Sequence, residues 1–185
     1  MRSLNCFIVT PKDGKRYDNT KEVAGVELSV SSSQEDHKFT QRVALVESVP
    51  LKYNGPIKDG DEIVVHHNTF RVMNDMRGKE KSSWSHLFGD KYLIDSGEVF
   101  AYRRNNGKWC AIAPFCFVEP IKSDGIESEE PLVGIMVYPN EDQPNIKAGD
   151  LVGFLPDSEY EFNIEGKKLY RMKTNMICLV KESKS

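Results

Sequence analysis

Residues 57–64 read Ile-Lys-Asp-Gly-Asp-Glu-Ile-Val, and residues 146–152 read Ile-Lys-Ala-Gly-Asp-Leu-Val. In both stretches a Gly-Asp pair separates a lysine from an apolar run. Glycine adopts turn conformations that other residues resist, and an aspartate side chain can accept hydrogen bonds from nearby backbone amides. Each stretch therefore predicts a turn from which a β-strand starts, and the double occurrence predicts an internal repeat.

The segments that flank the two Gly-Asp turns also recur, and they do so in the same order. The matched pairs are residues 5–9 with 115–119, 42–46 with 132–137, 92–94 with 169–172, and 99–102 with 176–180. A chain of 185 residues with this pattern is predicted to fold as two copies of one domain, residues 1–104 and 105–185, which meet at a polar stretch that contains glycine.

The two copies differ in their loops. Copy one has a long polar loop at residues 12–41 and an additional polar segment at 73–90, whereas the matching loop of copy two shrinks to residues 122–131. We expect all three segments to be mobile, because loops of this length and polarity are usually functional or disordered.

Short runs of valine, isoleucine, phenylalanine, leucine and tyrosine, broken by glycine, proline, asparagine and aspartate, indicate β-strands throughout the chain. Helical periodicity is almost absent. The sequence therefore predicts an all-β protein built of small barrels or sandwiches.

Composition excludes several classes of function. The net charge is −3 and there is no long basic stretch, which argues against binding to nucleic acid. No apolar run approaches the roughly 18–20 residues that span a bilayer, and the first residues lack the features of a secretory signal. We expect a cytoplasmic protein with no membrane or nucleic-acid partner.

No enzyme motif is present. The sequence lacks a Gly-x-Ser-x-Gly elbow, a phosphate loop and a His-Glu-x-x-His pair, so we expect no catalytic residues and no cofactor. Asp61 and Asp150 are interpreted as turn formers. His66 and His67 adjoin a predicted strand, where neighbours face opposite sides, so they are not expected to share a metal.

The cysteines show no zinc-binding spacing. Cys110, Cys116 and Cys178 lie in apolar runs, so we interpret them as buried, reduced thiols of strands. No metal site is predicted.

The order of elements resembles the chaperonin-10 (GroES-like) co-chaperonin family. In that family a Val-Lys-x-Gly-Asp turn opens a barrel strand, and the chain ends in a strand of the type acidic-Ile-Leu-Ala. Those positions are held here by residues 57–61 with 98–101, and again by 146–150 with 175–178. The resemblance implies two tandem GroES-like, partly open β-barrels, a layout similar to the double-domain co-chaperonins of plastids and to divergent co-chaperonins of bacteriophages.

The resemblance also implies a function. Family members bind and cap a chaperonin ring in a nucleotide-dependent manner, assist protein folding, and assemble as homo-oligomers. They dock through a mobile loop that carries an apolar tripeptide after a glycine, and the matching residues here are Gly25, Val26, Glu27 and Leu28. Alternation in an extended segment lets Val26 and Leu28 enter a groove while Glu27 faces solvent.

Several alternatives remain open. Residues 22–30 are either the docking segment or an additional strand on the barrel. The whole chain is either a co-chaperonin or a GroES-fold structural or interaction protein, including a virus-encoded one, that has lost chaperonin binding. Trp84, Leu87 and Phe88 form an apolar cluster that either contacts a partner or anchors its own loop.

The ends of the two copies suggest assembly. The resemblance implies that residues 99–102 pair with 111–115 within one chain, and that residues 176–180 pair with 5–9 of another chain. Such a head-to-tail contact gives a ring if the rotation closes.

Overall fold

The computed structural model describes residues 1–17, 20–23, 26–29, 40–122 and 129–181, and for residues 20–23, 26–29 and 80 it describes the backbone alone. The chain divides into a first unit, Met1–Val99, and a second unit, Phe100–Ser185. The boundary predicted from the sequence lies a few residues further along the chain.

The first unit consists of short strands. They are β1 (Cys6–Pro11), β2 (Thr20–Val23), β3 (Val26–Ser29), β4 (Val43–Ser48), β5 (Glu62–Val65), β6 (Val72–Asn74), β7 (Glu80–Ser82), β8 (His86–Phe88) and β9 (Lys91–Asp95). Strand β10 (Val99–Arg103) starts at the last residue of this unit and continues into the second.

The second unit is also made of strands. They are β11 (Cys110–Ala111), β12 (Phe115–Lys122), β13 (Glu129–Tyr138), β14 (Leu151–Phe154), β15 (Tyr160–Ile164), β16 (Lys167–Lys173) and β17 (Ile177–Lys181). Helical structure within the described ranges is limited to single 3₁₀ turns such as Ser96–Glu98 and Thr174–Met176. The all-β class predicted from the sequence is confirmed.

The two units share one strand order. The larger sheet of the first unit runs β8-β9-β1-β4-β5, and that of the second runs β15-β16-β12-β13-β14 and then β17. Neighbouring strands in these two orders are antiparallel. No helix in the described part of the chain is long and apolar enough to cross a membrane.

The Gly-Asp turns that suggested the repeat have the same hydrogen bonds in both copies. Gly60 N–H donates to the carbonyl of Val46 at 2.7 Å, and Gly149 N–H donates to that of Met136 at 2.8 Å. Both glycines have positive φ, 87° and 96°, a conformation that other residues resist.

The aspartates of these turns are buried and close the turn from within. The Asp61 carboxylate accepts the Lys58 N–H at 2.9 Å, and the Asp150 carboxylate accepts the Lys147 N–H at 2.7 Å. The prediction that both aspartates form turns is confirmed.

The first strand of each copy shows that the sequence comparison was shifted by one residue. Val9 lies opposite Val46 and Tyr92, while Val118 lies opposite Met136 and Tyr170. Val9 therefore corresponds to Val118 and Cys6 to Phe115, whereas the sequence match had placed residue 5 beside 115. A shift by one residue exchanges the two faces of a strand, so the correction decides which side chains are equivalent.

The core of the second unit lies on one face of its sheet. It contains Cys116, Val118, Met136, Ile146, Val152, Phe154 and Met172, all buried. Alternation places Phe115 and Phe117 on the opposite face. Phe117 is fully buried there, 5.8 Å from the ring of Phe162, so both faces of β12 are covered.

The polar segment at 73–90, which was predicted to be mobile, consists largely of short strands and turns. Strands β6 and β7 form a hairpin whose turn is closed by the Asp75 carboxylate, which accepts the N–H groups of Arg77 and Lys79 at 2.9 Å each. Val72 at its base is buried. The polar residues belong to an exposed hairpin whose turn is closed by local hydrogen bonds. Each of its strands has only three residues, which is too few for alternating hydrophobicity to reveal a strand in the sequence.

The prediction of buried cysteines holds for Cys116 and is wrong for two others. Cys110 and Cys178 are exposed, because each lies on a strand at the end of its sheet order. Apolar neighbours in sequence do not distinguish a covered strand from an edge strand.

Candidate protein-interaction surfaces

Strands β10 and β17 occupy equivalent positions at the end of the two copies. Each follows a 3₁₀ turn in the same way: the Val99 N–H donates to the Ser96 carbonyl, and the Ile177 N–H donates to the Thr174 carbonyl. Phe100 therefore corresponds to Cys178, and Ala101 to Leu179. These two strands end in very different surroundings.

Strand β10 is paired within the chain. Ala101 lies opposite Ala111, Tyr102 lies opposite Cys110, and the Ile112 N–H donates to the Phe100 carbonyl at 2.9 Å. The prediction that residues 99–102 pair with 111–115 is therefore confirmed only as far as Ile112, because Phe115 pairs with Lys173 of β16 instead.

The Phe100 side chain is buried among aromatic rings of the second unit. Its ring centroid lies 5.0 Å from that of Phe115 and 5.6 Å from that of Phe162, both edge to face. Such pairs stabilise by about 0.5–1.5 kcal/mol beyond the area that they bury. The Arg171 guanidinium lies 4.3 Å from the Phe100 ring.

Arg171 takes its stabilisation from rings. Its guanidinium lies 4.9 Å from the Phe115 ring, 5.0 Å from the Tyr160 ring and 5.6 Å from the Phe162 ring. Burial lowers the pKa of Arg171, and attraction to Tyr160 opposes that shift. The cation is therefore held by the negative faces of the rings that also receive Phe100.

The far end of β10 is fixed by a second arginine. Arg103 is buried, and its guanidinium donates to both carboxylate oxygens of Glu165, at 3.0 and 2.5 Å. The same guanidinium stacks 4.6 Å from the ring of Trp109. The turn residue Glu165 has a φ of 53°, a strained value for a residue with a side chain.

Strand β17 has the same apolar character and no such cover in the described residues. It pairs with β14 on one side, and Cys178, Leu179 and Val180 are exposed. Leu179 is 70% exposed, whereas its counterpart Ala101 is fully buried. An exposed apolar edge strand is a template for another strand.

A pocket of about 360 Å³ opens beside this edge. Ile146, Ile177, Cys178 and Val180 supply its apolar wall, and the amides of Gln143 and Asn175 lie at its rim. The core of the second unit is thus accessible along β17.

The first unit has a surface that corresponds to the aromatic one. The strand registers match Phe115 with Cys6, Arg171 with Leu93, and Tyr160 with Ser85. Phe162 lies opposite Leu169 in the second unit. The matching position in the first unit, opposite Lys91, falls where the register of β8 shifts, at Leu87 and Phe88. Cys6, Leu87 and Leu93 are part-exposed, and Phe88 is 47% exposed.

Two of the predicted partner-contact residues therefore lie on this surface. Leu87 and Phe88 form part of β8, and Trp84, in the turn just before that strand, is fully exposed. We name the set Cys6, Leu87, Phe88 and Leu93 the first-unit face.

The predicted docking segment lies in a separate two-stranded sheet. Val26, Glu27 and Leu28 belong to β3, which pairs with β2 and places them opposite Val23, Glu22 and Lys21. Gly25 lies outside the described residues. The backbone is thus a hairpin within the long loop of copy one.

A charged cluster closes the shorter loop of copy two. The Lys168 ammonium donates to the Glu129 carboxylate at 2.7 Å, and the Tyr170 hydroxyl donates to the same carboxylate. Desolvation raises the pKa of Glu129, but the hydrogen bonds from Lys168 and Tyr170, together with the positive charges of Lys168 and Lys122, lower it by more, so the net shift is downward. Glu129 lies within the loop predicted at 122–131 and is the first residue that the structure describes after 123–128.

The expectation for the two adjacent histidines was based on a wrong strand end. Strand β5 ends at Val65, so His66 and His67 lie in a turn with their rings 4.1 Å apart, not on opposite faces of a strand. In the part of the chain that the structure describes, no group of three or more His, Cys, Asp or Glu side chains is arranged to hold a metal.

Neither protein-family models nor curated proteins match this chain. The internal repeat and the surfaces at its two ends therefore supply the functional argument.

Proposed function

We propose that this chain is a tandem chaperonin-10-like co-chaperonin, in which two partly open GroES-like barrels carry one docking hairpin, strands β2 and β3. Copies join head to tail, and the hairpins bind a chaperonin ring in a nucleotide-dependent manner to assist protein folding. The protein performs no bond chemistry, and its work is differential binding to one state of the ring.

The observation that carries this proposal is the repeated architecture. Both units have one strand order, one register at the Gly-Asp turn and one pair of hydrogen bonds that closes it. The same turn and strand order are what the resemblance to GroES-like barrels implies. Edge strands at the ends of both sheets fit barrels that stay partly open.

The hairpin provides the contact with the chaperonin. Along β3 the apolar residues Val26 and Leu28 alternate with Glu27. A short apolar segment in a polar loop binds weakly by itself. Several hairpins in one assembly act together, because each further contact is intramolecular.

The head-to-tail contact follows the arrangement inside the chain. Residues 5–9 were expected to pair with β17 of another chain, but β1 already has β4 on one side and β9 on the other. Because Cys6 corresponds to Phe115, the segment that corresponds to β11 is Met1-Arg2. Leu179 would lie opposite Arg2 of the next copy, and the first-unit face would cover β17.

Native mass spectrometry with a chaperonin ring, with and without ATP, tests the docking function. We expect an ATP-dependent complex that Val26→Asp and Leu28→Asp each abolish, since a charge would enter the apolar groove. Ser29→Asp is the matched control, because it adds the same charge to the same strand on the other alternation. The absence of a complex with the unaltered chain would overturn the proposal.

One observation favours the alternative, a GroES-fold interaction protein that no longer binds a chaperonin. Glu22 and Glu27 are cross-strand partners in the hairpin, and like charges in that position destabilise a strand pair. Under this alternative the protein still assembles through β17 but forms no complex with the chaperonin ring. The Val26→Asp and Leu28→Asp substitutions then leave the native mass spectrum unchanged apart from the mass of the chain.

A further inference from the structure

We propose that Cys178 of one copy and Cys6 of the next copy face each other across the head-to-tail junction and form a site of intermolecular disulfide bonding. This inference rests on the assembly described under the proposed function, and it adds a redox-dependent covalent lock to that assembly. It concerns residues that the docking hairpin does not involve.

The matching junction inside the chain is aromatic. Phe100 on β10 and Phe115 on β12 are in direct contact, with ring centroids 5.0 Å apart. Phe100 corresponds to Cys178 through the shared 3₁₀ turn, and Phe115 corresponds to Cys6 through the strand registers. In the proposed assembly, another chain covers β17 in the way that the second unit covers β10. Two cysteines, Cys178 and Cys6 of the other chain, then take the positions of this aromatic pair.

Both cysteines are free and reachable. Cys178 is exposed on the bare strand and lines the pocket beside it, and its thiol lies 3.4 Å from the Gly153 carbonyl. Cys6 is part-exposed at the start of β1, where its N–H donates to the Ser3 hydroxyl at 3.1 Å. A thiol must be accessible to react with a disulfide.

The other two cysteines differ in ways that make them useful controls. Cys116 is buried in the core, and desolvation raises its pKa to about 11, so it stays a thiol at neutral pH. Cys110 is exposed, as Cys178 is, but it lies on β11, which pairs with β10 inside the chain.

Disulfide geometry sets a condition on this junction. The two Cα atoms of a disulfide lie about 4.4–6.8 Å apart. Two phenyl rings in contact keep their backbones further apart than two thiols do, so the strand ends at the intermolecular junction must approach more closely than those around Phe100. Disulfide formation therefore tests whether the intermolecular junction closes to that distance.

The oxidant we name is glutathione disulfide. The Cys178 thiolate attacks one sulfur of glutathione disulfide and releases one glutathione. The Cys6 thiolate of the next copy then attacks the Cys178 sulfur of the mixed disulfide and releases the second glutathione. The two cysteine sulfurs are oxidised, the two glutathione sulfurs are reduced, and the two cysteine protons end on the released glutathione thiols.

Non-reducing gel electrophoresis after incubation with glutathione disulfide tests this directly on the full chain. We expect linked species of increasing chain number that a dithiol reductant dissolves. Cys6→Ser and Cys178→Ser should each abolish all linkage, whereas Cys110→Ser should leave it unchanged. An equimolar mixture of the first two variants should give a linked dimer and nothing larger, because it contains one complete cysteine pair per two chains.

Linkage that persists in either single variant, or that requires Cys110, overturns the proposal. Sedimentation of the same variants under reducing conditions separates the two ideas. If the chains assemble but no oxidised dimer forms in the mixture, the disulfide is wrong and the assembly stands. If the unaltered chain is monomeric at every concentration, the assembly and the disulfide both fall.

Discussion

The two copies of the repeat end in the same strand and differ in what lies on it. Strand β10 begins Val-Phe-Ala-Tyr and is buried by the aromatic side of the second unit, whereas β17 begins Ile-Cys-Leu-Val and has four exposed residues, the last of them Lys181. The backbone before each strand is the same, down to the hydrogen bond of the 3₁₀ turn. What changes is that a further copy follows β10 in the chain.

Within the chain, β10 is covered by residues that follow it in the sequence. Under the proposed assembly, the matching residues of another chain would cover β17. An edge strand as apolar as its buried counterpart is a predicted site of association, because soluble proteins usually protect such edges with charge or with a short strand.

The largest effect on stability should come from removing the side chain of Phe100, the residue on β10 that corresponds to Cys178 on β17. Phe100→Ala deletes a buried ring that touches Phe115, Phe162 and Arg171, so we expect it to lower the free energy of unfolding by about 3–5 kcal/mol. Cys178→Ala at the matching position should change it by less than about 0.5 kcal/mol. Urea denaturation of dilute protein measures both. Equal losses would mean that β17 is covered in the single chain.

A smaller and symmetrical effect is expected at the Gly-Asp turns. Asp61→Ala and Asp150→Ala each remove the buried carboxylate that accepts a lysine backbone N–H, and a hydrogen bond to a charged group contributes about 1.5–3 kcal/mol. Because the bonds are the same, the two losses should agree within about 0.5 kcal/mol. Thermal unfolding of the two variants measures this, with the Asn variants as controls that keep one acceptor oxygen. A loss confined to one copy would contradict the equivalence of the turns.

The smallest effect concerns the loop that distinguishes copy two. The pKa of Glu129 is lower in the folded chain than its usual 4.5, so its contribution is present above that pH and is lost as pH falls through the folded value. Glu129→Gln should therefore cost about 0.5–1 kcal/mol at pH 7, and this cost should shrink progressively as the pH falls below 4.5. Unfolding measured across this range tests it, and a pH-independent difference would count against the charged cluster.

Much of the fold could be predicted from the sequence, because its strongest signals are local. Gly60 and Gly149 require positive φ, and Asp61 and Asp150 each close their own turn within three residues, so a short motif suffices to locate them. The class of the fold also follows from the residue types of the strands.

The rest depends on contacts between distant residues. The sequence match placed residue 5 beside 115, because Cys-Phe occurs at 6–7 and again at 116–117. The true register is set by β4 and β9, and it matches Cys6 with Phe115 instead. A comparison anchored on Pro11 and Pro120, which pair with Ala44 and Gly134, would have found it.

The interaction surface was found only in part for the same reason. Leu87 and Phe88 could be selected as an apolar cluster in a polar segment. Leu93 and Cys6 could not, since only the strand pairing places them beside β8. The aromatic set around Arg171 was also missed, because an arginine in a strand gives no sign that rings enclose it.

Sedimentation velocity of the full chain over a range of concentrations tests the central claim most directly. We expect reversible association, and we expect Leu179→Glu to abolish it by placing a charge on the bare strand. Leu45→Glu is the matched control, since Leu45 is 41% exposed on a strand with neighbours on both sides, and it should associate as the unaltered chain does. A chain that stays monomeric throughout, or association that Leu179→Glu leaves unchanged, would contradict the account.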